Sequence, residues 1–281
     1  MVTTANLSSP PTQDELPYSD GVPMESQRHV QQMTLLILTL QPWLNGRTDG
    51  YAGGNMFVYF SLEQLKNRDF RGPDFFAVVG VPKGERKSWV VWEEGKAPDV
   101  VIELLSESTA NTDKTDKKLI YQNQLRVSEY FWYDPFNPDD WAGFFLQQGI
   151  YQPLILNEHQ QFISQSLGLS LVRWSGIYQG TEAVWLRWAT LDGELLPLGE
   201  EIAEQERQNA KQERQNAEQQ RQRAEQAESQ LCQVALNLLQ NGMTMDQVVE
   251  ITGLSSEQIQ SIQLNRRGEV FSPLRLGTRK S

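Results

Sequence analysis

One acidic residue inside an apolar run constrains this sequence more than any other feature. Residues 97–106 read Ala-Pro-Asp-Val-Val-Ile-Glu-Leu-Leu-Ser, so that Glu103 has apolar neighbours on both sides. A short, continuous apolar run of this kind is typical of a buried β-strand. A buried carboxylate is costly unless it is paired or binds a cation. The run therefore predicts a strand with a functional acid, the alternative being an edge strand that exposes Glu103 to water.

Two other segments carry candidate residues in similar surroundings. Asp74 stands at the head of a second apolar run, Phe-Phe-Ala-Val-Val, which predicts another strand. Between residues 106 and 127 the composition becomes helical. Within that segment Asp113, Lys117 and Tyr121 are four residues apart, so we expect them to share one helical face. Two strand acids, a lysine on the next helix and apolar surroundings indicate a metal-dependent site.

Each of these residues also has an ordinary structural interpretation, which the sequence alone leaves open. A Pro-Asp pair before a strand is common in turns, so Asp74 can be a turn residue. Asp113 suits the first turn of a helix, because the helix dipole favours an acid there. Lys117 and Lys118 can lie on a solvated helix face, where an Asp113–Lys117 pair is unremarkable.

The chemistry that these residue types support is hydrolysis of a phosphodiester. That reaction needs a positioned cation, an activated water and charge relief at the leaving oxygen. Mg²⁺ prefers carboxylate oxygens, which Asp74 and Glu103 could supply from neighbouring strands. Lys117 or Lys118 could orient the water or stabilise the developing charge. Apolar surroundings could also lower a lysine's pKa enough for proton transfer.

Composition and charge limit the classes of protein that the chain can represent. The net charge is −11, which argues against nucleic-acid binding by charge alone. A DNA-directed function therefore needs a local site whose acids are neutralised by bound metal. The single cysteine, Cys232, excludes an internal disulfide framework and a cysteine-rich zinc site. No run approaches the roughly 20 apolar residues of a membrane span, and the first residues lack a signal-peptide pattern, so we expect a cytoplasmic protein without membrane contact.

The distribution of apolar residues predicts one large folded domain. Residues 1–24 are rich in Ser, Thr, Pro and Gln, which indicates a disordered arm. Apolar residues at helical spacing predict a helix at about 25–41. Short β-rich runs bounded by Gly or Pro predict strands at 57–60, 75–79, 89–92, 100–105, 130–133 and 141–146. This order predicts an α/β domain at 25–198, with a mixed central sheet flanked by helices.

The rest of the chain predicts helices of a different composition. Residues 199–240 predict a long polar helix in which alanines recur every seven residues, as in a weak coiled coil. Such a helix can be a solvated spacer or can form a dimer. Residues 241–264 predict a helix-turn-helix-like hairpin, which can read DNA or serve packing and dimerisation. Its second helix has no Arg or Lys at 255–262, whereas the expected disordered tail at 265–281 is basic.

Taken in order, the motifs of the large domain resemble the Uma-two family of restriction-endonuclease-like proteins over roughly residues 25–195. The matching stretches are Pro-Asp-Phe-Phe-Ala-Val-Val-Gly-Val-Pro-Lys-Gly at 73–84, Trp-Glu-Glu at 92–94, Ala-Pro-Asp-Val-Val-Ile-Glu-Leu-Leu-Ser-Glu-Ser-Thr-Ala at 97–110, Asp113 with Lys117 and Tyr121, and Val-Ser-Glu-Tyr-Phe-Trp-Tyr-Asp-Pro at 127–135. The resemblance implies a PD-(D/E)xK nuclease-like fold, a site for Mg²⁺ or Mn²⁺ on the sheet, and DNA as the substrate.

The resemblance also implies roles for individual residues. Asp74 matches the acid of the PD element and Glu103 the acid of the (D/E)xK element, and both are implied to be metal ligands. The sequence departs from the superfamily pattern at Leu105, which stands where that pattern has lysine. In this family the lysine is placed on the following helix, so Lys117 is the expected catalytic lysine and Lys118 its substitute.

The sequence is therefore compatible with two functions. The first is a Mg²⁺-dependent DNA endonuclease, with Glu25 as the nearest candidate for the superfamily's first-helix acid. The second is a non-catalytic binding or assembly protein that keeps the nuclease fold and uses its C-terminal helices for self-association or partner recruitment. In either case we expect a homodimer, formed through the nuclease domain or the long helix.

Overall fold

The structure is a computed structural model that describes residues 10–18, 24–63 and 72–266. Its contacts divide the chain into two units, Met1–Ala203 and Glu204–Ser281, which we describe separately. The predicted α/β class with a mixed central sheet is confirmed in the first unit. Among the described residues, no helix is both long and apolar enough to cross a membrane.

The first unit alternates strands with a few helices. In chain order it contains α1 (Gln27–Asn45), β1 (Asp49–Gly53), β2 (Val58–Tyr59), β3 (Phe75–Pro82), β4 (Trp89–Val90), α2 (Val91–Glu94), β5 (Val100–Leu104), the helical segment α3 (110–125), β6 (Glu129–Tyr133), β7 (Trp141–Gln147), β8 (Ile150–Pro153), β9 (Phe162–Ser164), β10 (Leu169–Tyr178) and β11 (Thr181–Ala189). Segment α3 includes two π-helical stretches, Asp113–Lys117 and Tyr121–Leu125.

Six strands form the central sheet, in the order β1-β3-β5-β6-β7-β8. Only β5 and β6 are parallel neighbours in it, and the other pairs are antiparallel. Strands β11, β10 and β9 form a second, antiparallel sheet, and β2 pairs with β4 in a short parallel one. Strand β5 thus lies inside the central sheet, and the edge-strand alternative for Glu103 is wrong.

Apolar side chains cover both faces of the central sheet. On one face, Leu36 and Leu40 of α1 belong to a core cluster with Ile102 of β5 and residues of β10 and β11. On the other face, Tyr121 of α3 packs in a cluster with Val101 of β5. All five residues of β5 are buried as a result. A strand covered on both sides reads as a continuous apolar run, which explains the pattern around Glu103.

Some local predictions differ from the structure. Helix α1 continues past Pro42 to Asn45, because Leu44 is buried in the core and outweighs the hydrogen bond that proline cannot donate. The strand predicted at 57–60 shortens to Val58–Tyr59. The strand predicted at 89–92 is wrong after Val90, where the chain turns into α2.

The prediction of a disordered arm at 1–24 is wrong for residues 10–18. Leu16 is buried in a small cluster with Tyr59. The indole of Trp92 donates a hydrogen bond of 2.8 Å to a backbone carbonyl of this segment. Trp92 lies in the helical turn α2, where a strand had been predicted, and the strand prediction therefore gave no reason to expect this contact. Most of the remaining arm lies outside the described residues.

The second unit is helical. It contains most of α4 (Gly199–Gln240) together with α5 (Met245–Thr252) and α6 (Ser256–Arg266). Ala235, Val248 and Ile259 form the buried centre of a cluster that joins the three helices. The predicted long helix and helical hairpin are therefore present. Of the expected basic tail, only the first residues fall within the described part of the chain.

Candidate active site

The register of the central sheet brings Asp74 and Glu103 together. Strand β3 pairs antiparallel with β5, with Phe75 opposite Ile102. Asp74 precedes Phe75 and Glu103 follows Ile102, so the same register places the two acids opposite each other on one face. Oδ2 of Asp74 accepts a hydrogen bond of 2.7 Å from the backbone N–H of Leu104, which holds it against β5.

Helix α3 covers this face and supplies partners for Glu103, which is fully buried. Nζ of Lys117 donates to Oε2 of Glu103 at 3.1 Å, and the Tyr121 hydroxyl donates to Oε1 at 2.7 Å. Nζ of Lys117 also lies 2.7 Å from Oδ1 of Asp113. The predicted common face of these three helix residues is thereby confirmed. The π-helical turns that carry them are a feature often found at functional sites.

The environment makes ionisation of both strand acids costly. Burial raises the pKa of Glu103, and the Asp113 charge raises it further, while Lys117 and Tyr121 partly offset the rise. Burial of its carboxyl group and the charge of Glu103 raise the pKa of Asp74 well above its usual range. When Asp74, Glu103 and Asp113 are ionised, three carboxylates against the single Lys117 ammonium leave a formal charge of −2. A divalent cation would neutralise this charge.

Lys117 is held in its charged form. Burial alone lowers its pKa, but the charges of Glu103 and Asp113 outweigh burial, and the pKa ends above the ordinary value. The expectation that apolar surroundings would lower this pKa is therefore wrong for Lys117. An ammonium that stays protonated can orient a ligand or stabilise negative charge, but it is a poor proton acceptor at neutral pH.

The structure does not bring Lys118 to the two acids. Its Nζ lies 3.4 Å from the centroid of the Phe144 ring and 5.7 Å from that of Trp132. Glu25 lies at the periphery, just before α1, where its Oε1 accepts a hydrogen bond of 3.4 Å from Ser106. The charge of Glu25 contributes to the raised pKa of Asp74.

Sequence analysis placed Asp113 and Tyr121 on the face of Lys117 but gave neither a role in the site. Asp113 is fully buried, and its Oδ2 accepts no hydrogen bond from the described residues. The Tyr130 hydroxyl donates to the Asp113 backbone carbonyl at 2.7 Å and fixes this turn. Tyr121 was identified only as part of the motif. The sequence signal for Asp113 and Tyr121 was that each lies four residues from Lys117.

The donor set fits a hard divalent cation of the magnesium type. Among the described residues, no group of three or more His, Cys, Asp or Glu side chains is arranged to hold a metal. Magnesium, however, is usually bound by one or two carboxylates, with water and substrate phosphate completing its shell. Asp74 and Glu103 provide such a pair, and Asp74 is the less completely buried of the two residues. The unpartnered Oδ2 of Asp113 adds buried negative charge.

Sequence comparison places the chain among restriction-endonuclease-like proteins. The sequence model described as "Uma2: Putative restriction endonuclease" matches residues 7–175, more than half of the chain, and the chain therefore belongs to the Uma2 family. The resemblance seen in the motifs is thus confirmed. Residues 228–264 are similar to the model described as "Rpn/YhgA-like nuclease family, C-terminal HTH domain". Nucleases of the restriction-endonuclease-like class generally use divalent metal ions.

One of the solved structures similar to the chain is "a putative nuclease belonging to DUF820 from Anabaena variabilis ATCC 29413". Its sequence is 20% identical, the alignment covers 52% of this chain and 84% of that chain, and the TM-score is 0.35. No curated protein matches the chain.

Proposed function

We propose that this chain is a Mg²⁺-dependent endonuclease that hydrolyses phosphodiester bonds of DNA. The observation that carries the proposal is the pairing of Asp74 with Glu103 on one sheet face, beneath a lysine ammonium from α3. Membership in the Uma2 family supports the same reaction class. A DNA substrate also favours a cytoplasmic location.

In this proposal each side chain of the site has a defined task. Asp74 and Glu103 would hold Mg²⁺, or Mn²⁺, which lowers the pKa of a bound water and neutralises charge on the phosphoryl group. Lys117 remains protonated and, from its position on Oε2 of Glu103, orients the attacking water or stabilises the developing charge. Tyr121 donates to the other oxygen of Glu103 and fixes the carboxylate plane.

A plasmid-nicking assay with Mg²⁺ tests the proposal. We expect nicking by the wild type, and losses of at least about 100-fold for Asp74→Asn and Glu103→Gln, since each replaces a carboxylate ligand and weakens the metal that would stabilise the developing charge. Glu107→Gln is the matched control, because Glu107 is an exposed acid four residues from Glu103. Nicking of equal rate in all four proteins would refute the site assignment. If the wild type cleaves none of duplex, single-stranded and branched DNA, the proposed endonuclease activity is refuted.

The second candidate function is a non-catalytic assembly protein with the same fold. It is favoured by Leu105 in place of the strand lysine and by the net charge of −11. Isothermal calorimetry separates the two functions, because only the proposed nuclease requires Mg²⁺ binding that is lost in Glu103→Gln.

We also propose that the chain forms a homodimer through α4. The seven-residue spacing of its alanines continues into Leu231, and Leu231 and Val234 are 36% and 46% exposed. These positions follow the a and d pattern of a two-stranded coiled coil. Sedimentation of the full chain should give a dimer mass that the double substitution Leu231→Asp and Val234→Asp lowers to a monomer mass. An unchanged mass would remove this role.

DNA contact by the second unit has weaker support than contact at the sheet. Residues 228–264 contain no Lys or Arg, whereas they contain four acids: Glu228, Asp246, Glu250 and Glu257. Basic side chains attract the phosphate backbone and acids repel it, so this charge distribution favours a helical unit that binds protein. The DNA-reading alternative predicts that Gln260→Ala, on exposed α6, weakens binding to DNA.

A further inference from the structure

An aromatic residue, Trp132 of β6, lies beside Asp74 and Glu103 on the same face of the sheet. Strand β5 pairs in parallel with β6, with Glu103 opposite Trp132, and Trp132 in turn lies opposite Ala142 of β7. Paired residues of neighbouring strands point to one face, and the strands lie about 4.8 Å apart. Trp132 is therefore the immediate lateral neighbour of the acid pair on the face that α3 covers.

Lys118 projects over this neighbouring surface. Its Nζ lies 3.4 Å from the centroid of the Phe144 ring and 5.7 Å from that of Trp132, so it forms cation–π contacts. The rings of Trp132 and Phe144 contact each other at a centroid distance of 4.9 Å. They form a fixed apolar platform that holds the ammonium beside the proposed site. Because Lys117 and Lys118 are consecutive, one helical turn aims two ammonium groups at adjacent positions of the sheet.

Lys118 differs from the other lysines of this turn in its charge partners. Lys117 lies 2.7 Å from Asp113, and Lys114 lies 2.6 Å from Asp140. Among the described residues, no carboxylate forms an ion pair with Lys118. Burial lowers its pKa, as expected for an ammonium that lacks a countercharge. In a chain of net charge −11, an ammonium without an acid partner can bind an anionic ligand without first breaking an ion pair.

We propose that Lys118, supported by Trp132 and Phe144, binds a backbone phosphate of duplex DNA next to the phosphate that is cleaved. The proposal rests on the proposed function, since it places the same polynucleotide across both positions. Phosphate contacts from lysine fix the register of a protein on nucleic acid without reading its sequence. Such a contact would offset part of the repulsion between DNA and this acidic protein.

The test is binding of a labelled DNA duplex to the full chain, by fluorescence anisotropy over a range of KCl concentrations. Ca²⁺ replaces Mg²⁺, so that binding is read independently of cleavage. Removing one phosphate contact should make the slope of log Kobs against log[salt] shallower by about 0.9 for a duplex, or about 0.7 for a single strand. We expect this change, with weaker binding, for Lys118→Gln and not for Lys118→Arg. Lys211→Gln, at an exposed position of α4, is the matched control.

The outcomes separate this inference from the proposed function. A Lys118→Gln slope equal to that of the wild type overturns the phosphate contact, even if the wild type cleaves DNA. Equal losses for Lys118→Gln and Lys211→Gln also overturn it, because net charge alone would explain them. A wild type that binds but never cleaves with Mg²⁺ contradicts the proposed function alone. If Lys118→Gln lowers the melting temperature, Lys118→Met, which keeps the apolar stem over Phe144, replaces it under the same criteria.

Discussion

Nζ of Lys117 lies 3.1 Å from Oε2 of Glu103, although the two residues are 14 positions apart in the chain. Strand β5 carries the acid and α3 carries the lysine, so the site is assembled by helix-on-sheet packing. The strand position where the superfamily pattern has lysine is occupied by Leu105. The ammonium therefore reaches the acid from above the sheet.

Removing this ammonium should impair cleavage more than binding. We expect Lys117→Met to lower the single-turnover rate by about 100- to 1000-fold, because losing one preorganised charge stabiliser usually costs that much. Single-turnover nicking at saturating protein measures the rate. Lys211→Met, on exposed α4, should leave it unchanged. A Lys117→Met rate within threefold of the wild type would remove this lysine from the reaction.

Loss of the Tyr121 hydroxyl should reduce stability. Tyr121 donates to the buried Oε1 of Glu103 at 2.7 Å, so Tyr121→Phe leaves a buried carboxylate oxygen with one donor fewer. We expect the free energy of unfolding to fall by about 1–3 kcal/mol, the usual cost of leaving a buried polar group without a hydrogen-bond partner. Urea denaturation measures this change, and Tyr18→Phe, at an exposed tyrosine, is the control. Equal stability of both variants would contradict the contact.

The raised pKa of Asp74 predicts a specific dependence of stability on pH. In the folded protein this carboxyl group keeps its proton to higher pH than in the unfolded chain, whose ordinary value is 3.8. The folded state binds more protons in that window, so metal-free stability falls as pH rises from about 3.8 through the raised folded pKa. Asp74→Asn should therefore be more stable than the wild type at pH 7, with a flatter pH profile. Thermal melts in EDTA check this.

The exposed acid Asp192 supplies the control for that experiment. Asp192→Asn should follow the wild-type pH profile. If Asp74→Asn is less stable than the wild type at pH 7, then the two facing carboxylates do not repel each other in the way that the structure indicates.

Magnesium should stabilise the wild type through the acid pair. A ligand that binds only the folded state adds about 2.7 kcal/mol at a concentration 100 times its Kd. We expect the melting temperature to rise with Mg²⁺ in the wild type and Glu107→Gln, and not in Glu103→Gln. The same rise in all three proteins would place the ion elsewhere on this acidic surface.

The sequence indicated which acids belong to the site, but it did not indicate how they are arranged in space. Glu103 was identifiable because an acid within a buried strand needs an explanation, and its partner Asp74 followed from the motif. That they face each other depends on the pairing of β3 with β5, which no local pattern specifies. Asp113 lies near the start of α3, as the helix dipole favours, but its burial could not be predicted because it results from contacts between α3 and the sheet.

The different partners of Lys117 and Lys118 could not be predicted from the sequence either. Lys117 and Lys118 are indistinguishable by residue type, and a helix predicts only that they point about 100° apart. Packing of α3 on the sheet assigns one to Glu103 and the other to Phe144. Similarly, residues 10–18 have the composition of a disordered segment. They are ordered because Leu16 is buried and because the Trp92 indole in α2 donates a hydrogen bond to their backbone.

Anomalous diffraction from crystals of the full chain soaked in Mn²⁺ locates bound metal directly. We expect a manganese peak between the carboxylates of Asp74 and Glu103, about 2 Å from an oxygen of each. The peak should be absent from Glu103→Gln crystals. Manganese bound only elsewhere, or a peak that persists unchanged in Glu103→Gln, would contradict the assignment of these two acids as the metal site of a nuclease.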